Sequence, residues 1–187
     1  MLQLQNLGSD WTLFLDRDGV LNEEKDNDYI LNWNEFVFYD YVLNAMPLLN
    51  KCFNKIIVTT NQKGVGKGLM TLASLNEIHQ KMVNAIAAAG GRIDQIYFCT
   101  DLADNSPNRK PQPGMAIQAQ MDFPEINFKK SIMVGNRMSD MQFGRNAGMH
   151  TVFVATTHPE VAYPDPHIDL RFTNLGSFAE ACSSTRK

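Results

Sequence analysis

The sequence predicts an α/β fold organised around a mainly parallel β-sheet. Five short apolar runs, rich in β-branched and aromatic residues, recur at residues 11–15, 55–59, 93–99, 131–134 and 151–155. Longer amphipathic stretches separate these runs, and such alternation is typical of βαβ units with parallel strands. The length of 187 residues is that of one domain of this class. We therefore expect a single domain over residues 1–187.

The stretches between the apolar runs predict helices. The clearest helix covers residues 72–89, where apolar side chains recur at three- and four-residue steps, Thr71 can cap the start and two glycines follow the end. A helix over residues 40–51 contains Pro47, which predicts a kink or a late start. Three shorter helices are predicted for residues 115–122, 140–148 and 177–183. The proline-rich stretch at residues 155–169 is expected to be irregular.

Charge and composition exclude several classes of partner. With 17 Lys and Arg against 20 Asp and Glu, the formal charge is −3, so no basic field attracts nucleic acid or an anionic membrane. The three cysteines are widely separated and lack metal-site spacing, which favours buried thiols in a reducing compartment. The N-terminus lacks the pattern of a signal peptide, and no apolar run approaches 18 residues. We expect a cytoplasmic protein with a small-molecule partner.

Polar residues follow four of the predicted strands, and the first group is Asp16-Arg17-Asp18-Gly19. In a parallel sheet the carboxyl ends of the strands meet at one crevice, where ligands bind in such folds. Two carboxylates so close together attract a hard cation such as Mg²⁺, which prefers oxygen ligands and keeps waters that a phosphate can replace. A solvated acidic turn is the alternative interpretation of this group alone.

Three further groups extend the predicted crevice. Thr59-Thr60-Asn61-Gln62 runs into a glycine-rich turn, whose N–H groups suit phosphate oxygens, although a flexible hairpin is the alternative. Arg109 and Lys110 stand on a proline-rich segment before a helix, where a charge pair is usually only solvated surface. Asn136 and Asp140 lie four residues apart after a strand, close enough to place both oxygens near one metal, or Asp140 simply caps the next helix.

Together, the order DRDG, TTNQ, RKPxPGM and GNxxxD resembles the haloacid dehalogenase (HAD) superfamily of phosphatases. The likeness covers residues 11–156 and is strongest to the branch of histidinol-phosphate phosphatases and D-glycero-D-manno-heptose 1,7-bisphosphate phosphatases. It implies a Rossmann-like three-layer α/β/α sandwich. The gaps of about 20 residues after Asn22 and about 10 residues after Cys99 are too short for a large cap domain, so we expect none. The likeness also implies a Mg²⁺-dependent phosphatase that acts on a small phosphorylated metabolite, a sugar phosphate or histidinol phosphate, through an aspartyl-phosphate intermediate.

The resemblance also implies a role for each site residue. Asp16 is the expected nucleophile, and Asp18 the acid and base that protonates the leaving alcohol and later activates water. Thr60 and Lys110 are expected to stabilise the transferring phosphoryl group. The expected magnesium ligands are Asp16, the main-chain carbonyl of Asp18 and Asn136, with Asp140 close by. The residues expected to bind the substrate are Asn61, Gln62, Arg109 and Arg137.

Two departures from the family pattern bear on activity. Related phosphatases usually carry Asp where this chain has Asn136, so one negative charge is missing and Asn136→Asp is expected to strengthen magnesium binding. Related enzymes also carry a Cys/His zinc loop before the RKP segment, whereas here Cys99 is followed by no His or Cys before Arg109. One alternative to an active phosphatase is therefore an impaired phosphate-binding or regulatory protein. Another is a phospho-accepting signalling domain, since such domains also combine an acidic pocket with a phosphorylated Asp, a Thr and a Lys, but Asp18 disfavours it.

Overall fold

The computed structural model describes residues 2–26 and 28–185, and within them all strands belong to one parallel sheet. The strand order is β3-β2-β1-β4-β5-β6, so β1 is central, with β2 on one side and β4 on the other. The strands are β1 (Thr12–Leu15), β2 (Lys55–Asn61), β3 (Gln95–Cys99), β4 (Ser131–Gly135), β5 (His150–Val154) and β6 (Leu170–Phe172). The predicted parallel α/β fold is confirmed.

The helices follow the predicted pattern, and one short helix is added to those expected. They are α1 (Val42–Cys52), α2 (Lys63–Gly66), α3 (Leu72–Ala88), α4 (Gly114–Asp122), α5 (Met138–Ala147) and α6 (Leu175–Ser184), with 3₁₀ turns at Leu4–Asn6, Trp33–Glu35 and Phe128–Lys130. Helix α1 starts late, at Val42, and continues through Pro47. The short helix α2 and the three-residue strand β6 are absent from the sequence prediction, because neither is long enough to show a periodic pattern.

Side chains of the central strands alternate between two apolar layers, as the period of a β-strand requires. Leu13 and Leu15 of β1 pack into the larger layer with buried residues of α1, α3 and α6. Phe14 points the other way and packs with residues of α4 and α5. The sheet is thus covered by helices on both faces, which confirms the three-layer Rossmann-like arrangement. None of the helices in the described part of the chain has the length and hydropathy needed to span a membrane.

The register of the central strands brings the predicted site residues to one edge of the sheet. Leu15 lies beside Val58 of β2 and Val134 of β4, and the Asp16 N–H donates to the Val134 carbonyl at 3.0 Å. The polar groups that follow β1, β2 and β4 therefore emerge next to one another. Because the chain leaves β1 toward β2 and later returns to β4 on the other side, this edge is the switch point of the sheet.

Candidate active site

A cleft of about 580 Å³ opens at the carboxyl ends of the central strands. Its walls contain residues from all four polar groups of the sequence. The segment after β1 also contributes Glu24, Lys25, Asp28, Tyr29 and Ile30. The site residues that line it are Asp16, Asp18, Thr60, Asn61, Gln62, Arg109, Lys110, Arg137 and Asp140. Asn136 is fully buried at the end of β4. The structure thus brings together residues that are as much as 124 positions apart in the sequence.

At the base of the cleft, the Lys110 ammonium group lies between two buried carboxylates. Its Nζ is 2.9 Å from Asp16 Oδ1 and 2.6 Å from Asp140 Oδ1, and it donates to the Thr59 carbonyl at 2.9 Å. We call Asp16, Lys110 and Asp140 the inner cluster. With two carboxylates and one ammonium group, the cluster carries an excess negative charge in a region where each residue is at most 6% exposed.

Burial and charge act together on the pKa values of the inner cluster. Burial, and then the charge of Asp140, raise the pKa of Asp16 to about 7, although Lys110 opposes this shift. Burial alone would lower the pKa of Lys110, but the two carboxylates outweigh it and raise that pKa above the ordinary value. Lys110 therefore stays charged at neutral pH.

Asn61 holds Lys110 in place. The Asn61 side chain donates from Nδ2 to the Lys110 carbonyl at 3.1 Å and accepts from the Lys110 N–H at Oδ1 at 3.0 Å. Asn61 is the last residue of β2, so this reciprocal pair ties the RKP segment to the end of a central strand. Both hydrogen-bonding groups of the Asn61 amide are used in this way, and its predicted contact with the substrate stays a prediction.

Asp18 lies in a second group of side chains, which we call the outer cluster: Asp18, Arg17, Asn22 and Gln62. The Arg17 guanidinium binds both Asp18 oxygens, with Nη2 2.8 Å from Oδ1 and 3.0 Å from Oδ2. Asn22 donates to Oδ1 at 3.0 Å and Gln62 to Oδ2 at 2.9 Å. Burial would raise the pKa of Asp18, but Arg17 and these amides outweigh it, so the pKa lies below its ordinary value.

Arg17 is itself almost fully buried, at 1% exposure. Its Nη1 lies 3.3 Å from His79 Nε2, and its guanidinium carbon lies 6.0 Å from the Phe36 ring centroid. Burial, and then the charge of Arg17, lower the pKa of His79 to about 3. The histidine is therefore neutral at physiological pH and can accept the arginine's hydrogen bond.

At the end of β4, Asp140 has two roles. Its Oδ2 accepts the Arg137 N–H at 3.0 Å, which caps helix α5, and its Oδ1 faces Lys110. Both interpretations of Asp140, helix cap and site residue, are thus consistent with its contacts. Gly135 permits the close approach, because a Cβ at that position would lie 2.2 Å from the Asp140 Cβ.

The candidate ligands for a magnesium ion are the two carboxylates of the inner cluster and the Asn136 amide oxygen. Asn136 Oδ1 is buried and has no hydrogen-bond partner among the described residues, and Asp16 and Asp140 together exceed the charge of Lys110 by one. Within residues 2–26 and 28–185, no group of three or more His, Cys, Asp and Glu side chains is arranged for a metal. A metal there would need the Asn136 amide and a main-chain carbonyl as ligands, which Mg²⁺ accepts together with water.

The segment before Lys110 is organised by hydrogen bonds. The Ser106 hydroxyl donates to Asp101, the Arg109 N–H donates to the Ser106 carbonyl at 3.0 Å, and Arg109 Nε lies 3.3 Å from Asp104. The Arg109 side chain faces the cleft, and its buried Nη1 has no hydrogen-bond partner in the described part of the chain. These bonds hold the cleft wall in place.

Several residues at the site escaped the sequence analysis, among them Arg17, Glu24 and Thr157. Arg17 was hidden between two catalytic candidates, Glu24 lies in an acidic stretch that reads as solvated surface, and Thr157 lies in the irregular segment after β5. Glu24 accepts from Asn136 Nδ2 at 2.9 Å, and Thr157 Oγ1 accepts from the same nitrogen at 2.7 Å. The arginine between two aspartates was a usable signal, since an isolated cation beside two carboxylates favours pairing.

The comparisons with known proteins agree with this geometry. A family model described as HAD-hydrolase-like matches residues 107–169. The chain is 32% identical over 183 residues to the D-glycero-alpha-D-manno-heptose-1,7-bisphosphate 7-phosphatase of Mycobacterium bovis, covering 97% of this chain and 96% of the relative. It is 33% identical over 184 residues to the D-glycero-beta-D-manno-heptose-1,7-bisphosphate 7-phosphatase of Salmonella typhi, covering 94% and 96%.

Solved structures give the same result. The D,D-heptose 1,7-bisphosphate phosphatase of B. bronchiseptica, complexed with magnesium and phosphate, matches with a TM-score of 0.82 and 28% identity, covering 91% of this chain and 96% of that one. The corresponding enzyme of Burkholderia thailandensis matches with a TM-score of 0.65 and 29% identity, with the same coverage. The chain therefore belongs to the HAD superfamily, in the branch of phosphoric monoester hydrolases that includes the D-glycero-D-manno-heptose 1,7-bisphosphate 7-phosphatases.

Proposed function

We propose that the protein is a Mg²⁺-dependent phosphatase that removes the 7-phosphate of a heptose 1,7-bisphosphate. The observation that carries this proposal is the inner cluster, in which a buried carboxylate at the end of the central strand faces a buried lysine. Two relatives that cover 97% and 94% of the chain are named for this substrate, one for the alpha and one for the beta anomer. A cytoplasmic location and the absence of a nucleic-acid or membrane partner stay predictions.

In the first step, an Asp16 oxygen attacks phosphorus and the bond from phosphorus to the sugar oxygen breaks. Asp18 donates the proton that the departing alkoxide needs. Because Asp18 is ionised in the resting protein, this role requires the negative charge of the bound phosphate to raise its pKa. Lys110 and Thr60 stabilise the charge on the equatorial oxygens, Lys110 as a fixed cation and Thr60 through its hydroxyl.

In the second step, Asp18 accepts a proton from water, whose oxygen attacks the aspartyl phosphate and releases inorganic phosphate and free Asp16. The low pKa that Arg17 and Gln62 confer on Asp18 keeps the carboxylate ready for this task. Asp16, the Asp18 carbonyl and Asn136, with Asp140 close by, would hold the magnesium ion. When bound, the ion supplies positive charge that draws the phosphate to Asp16 and offsets the excess negative charge of the inner cluster.

Arg109 supports a substrate with a second anionic group. Its side chain faces the cleft, and its Nη1 is buried without a hydrogen-bond partner among the described residues. A guanidinium with free donors suits a phosphate at the far end of a sugar. Arg109→Gln is expected to raise the KM for a bisphosphate about tenfold with little change in kcat, whereas the KM for a monophosphate should hardly change.

Phosphate release from a panel of substrates tests the proposal. The panel contains the alpha and beta anomers of heptose 1,7-bisphosphate, a heptose 7-phosphate and histidinol phosphate, each assayed with and without Mg²⁺. We expect the highest kcat/KM for one of the bisphosphate anomers and no turnover after chelation. Turnover confined to histidinol phosphate would overturn the substrate assignment. Binding of phosphate without turnover of any compound would favour the impaired binding protein instead.

A further inference from the structure

Glu24 contacts Asn136, the residue that stands where the family pattern has an aspartate. It belongs to the segment after β1, yet its Oε2 accepts from Asn136 Nδ2 at 2.9 Å, and its Oε1 pairs with the Arg137 guanidinium. The Glu24 side chain is only 13% exposed. An acidic residue that is distant in sequence is therefore inserted beside the amide that stands where a carboxylate is expected.

The chemistry of the Glu24 contact determines which way the Asn136 amide faces. An ionised carboxylate only accepts hydrogen bonds, so the NH₂ group of Asn136 must be the end that faces Glu24. Thr157 Oγ1, at 2.7 Å, accepts from the same nitrogen. The other end of the amide, Oδ1, is consequently turned away from Glu24, and it has no hydrogen-bond partner among the described residues.

Gly19 provides the space for this contact. Its backbone has a φ of 81°, which favours glycine, and a Cβ there would lie 2.0 Å from Asn136 Nδ2 and 2.7 Å from Glu24 Oε2. The turn of the first motif thus leaves room for the pair. The pairing of Glu24 with Asn136 is built into the fold by two segments that are 112 residues apart.

We propose that Glu24 is the positioning residue of the metal site: itself held by the Arg137 guanidinium, it orients Asn136 so that Oδ1 is free to bind the cation. This inference rests on the proposed Mg²⁺ site. In the family pattern the metal ligand at this position carries the carboxylate itself. Here the ligand is the Asn136 amide, and the carboxylate belongs to Glu24, which contacts that amide. Groups that orient metal ligands commonly change affinity 10- to 100-fold.

The pairing also changes what Asn136→Asp should do. That substitution alone would place a carboxylate oxygen about 2.9 Å from Glu24 Oε2, and like charges so close repel. The gain in metal affinity expected from sequence should therefore be absent. With Glu24→Gln in the same protein, the glutamine amide can donate to the new carboxylate, which restores one donor and one acceptor.

Four proteins test this coupling: wild type, Asn136→Asp, Glu24→Gln and the double variant. Mn²⁺ binding is measured by electron paramagnetic resonance without substrate, with Mg²⁺ as competitor. We expect Glu24→Gln to weaken binding about tenfold, and Asn136→Asp to give no tightening in the wild-type background. In the Glu24→Gln background, Asn136→Asp should tighten binding at least about tenfold.

Glu23→Gln is the matched control, because it removes the same charge from the adjacent, exposed position and should leave metal affinity unchanged. Thermal melting of all the variants confirms that they fold. Equal tightening by Asn136→Asp in both backgrounds would overturn the proposal, and so would the absence of Mn²⁺ binding in all four proteins. Coupled metal binding without phosphatase activity would leave this inference standing and reject the proposed function.

Discussion

The inner and outer clusters hold the two carboxylates of a single four-residue motif in opposite electrostatic states. Burial, and then the charge of Asp140, raise the pKa of Asp16 to about 7, because two carboxylates share the single ammonium group of Lys110. Asp18, two residues further along, is only partly buried, and its own arginine and two amides hold its pKa below the ordinary value. The neighbours that the fold brings in, and not the motif itself, determine how each carboxylate behaves.

The difference in charge between the two clusters indicates that they have different functions. The inner cluster carries an excess negative charge, so a cation or a protonated state is needed to stabilise it. The outer cluster pairs one carboxylate with one guanidinium and is electrically balanced before any ligand arrives. We infer that the inner cluster is where metal and phosphate act, whereas the outer cluster is a preformed support that keeps Asp18 in position.

Removing the Asp16 carboxylate should have the largest effect. Asp16→Asn is expected to lower turnover about 1,000-fold or more, because an amide cannot attack phosphorus. In metal-free buffer at pH 7 the same change should raise the free energy of unfolding by about 1 kcal/mol, since it removes a carboxylate that the folded state disfavours. Phosphate release and urea unfolding measure the two effects.

Asp10→Asn serves as the control, because Asp10 pairs with Lys130 at the surface and should change neither quantity much. A loss of stability in Asp16→Asn would show that the carboxylate supports the fold. Turnover above a few per cent would show that it is not the nucleophile.

Removing the Lys110 ammonium group should lower the free energy of unfolding, which is the opposite of the effect expected for Asp16→Asn. Lys110→Met leaves two buried carboxylates facing each other, and losing one partner of a buried ion pair costs about 3–5 kcal/mol of unfolding free energy. Lys55→Met is the matched control, because Lys55 forms an ion pair with Glu125 near the surface and should cost less than about 1 kcal/mol. Equal losses in the two variants would contradict the electrostatic description of the inner cluster.

His79, which contacts Arg17 of the outer cluster, should make the free energy of unfolding depend on pH. Its pKa in the folded state, about 3, lies below the value of about 6.5 in the unfolded chain, so the unfolded state binds more protons below pH 6.5. The stability that this difference contributes is complete above that pH and should fall by about 2 kcal/mol between pH 7 and pH 5.

His79→Gln keeps a hydrogen-bond acceptor for Arg17 but removes the titrating group. Urea unfolding at both pH values should therefore show a smaller loss on acidification in the variant than in the wild type. An identical loss in both proteins would mean that His79 titrates normally in the folded state.

The smallest effect is expected for Arg17→Lys. A lysine retains the positive charge but cannot bind both Asp18 oxygens in a fork, so the pKa of Asp18 should rise toward its ordinary value. We expect kcat to fall about fivefold to tenfold and the acidic limb of the pH–rate profile to move to higher pH. A fall in kcat with an unmoved profile would assign Arg17 a purely structural role.

Much of the fold could be predicted because the strands are short, apolar and regularly spaced. Every predicted strand is present within two residues, and the predicted helix over 72–89 ends one residue earlier. The predicted meeting of four polar groups at one sheet edge is confirmed by the cleft that they line. The meeting could be predicted because parallel strands all end at the same edge of the sheet. The residues that follow them therefore lie close together, whatever elements connect the strands.

The site's interior could not be predicted in the same way. Glu24 and His79 show no periodicity or motif that separates them from surface residues, and the only signal for Arg17 is its position between two aspartates. Their importance arises from burial and from partners that are up to 112 positions away. Sequence patterns indicate which backbone segments meet, but the pairing of side chains within that meeting point depends on packing.

The reciprocal pair between Asn61 and the main chain of Lys110 has a consequence for how this protein family can change. The pair adds two hydrogen bonds at the end of β2, so Lys110 is anchored to a strand independently of the loop before it. That loop can lose a zinc site, shorten or acquire new side chains without moving the lysine. Such separation lets evolution vary which molecule is recognised at the rim while the phosphate chemistry beneath stays constant.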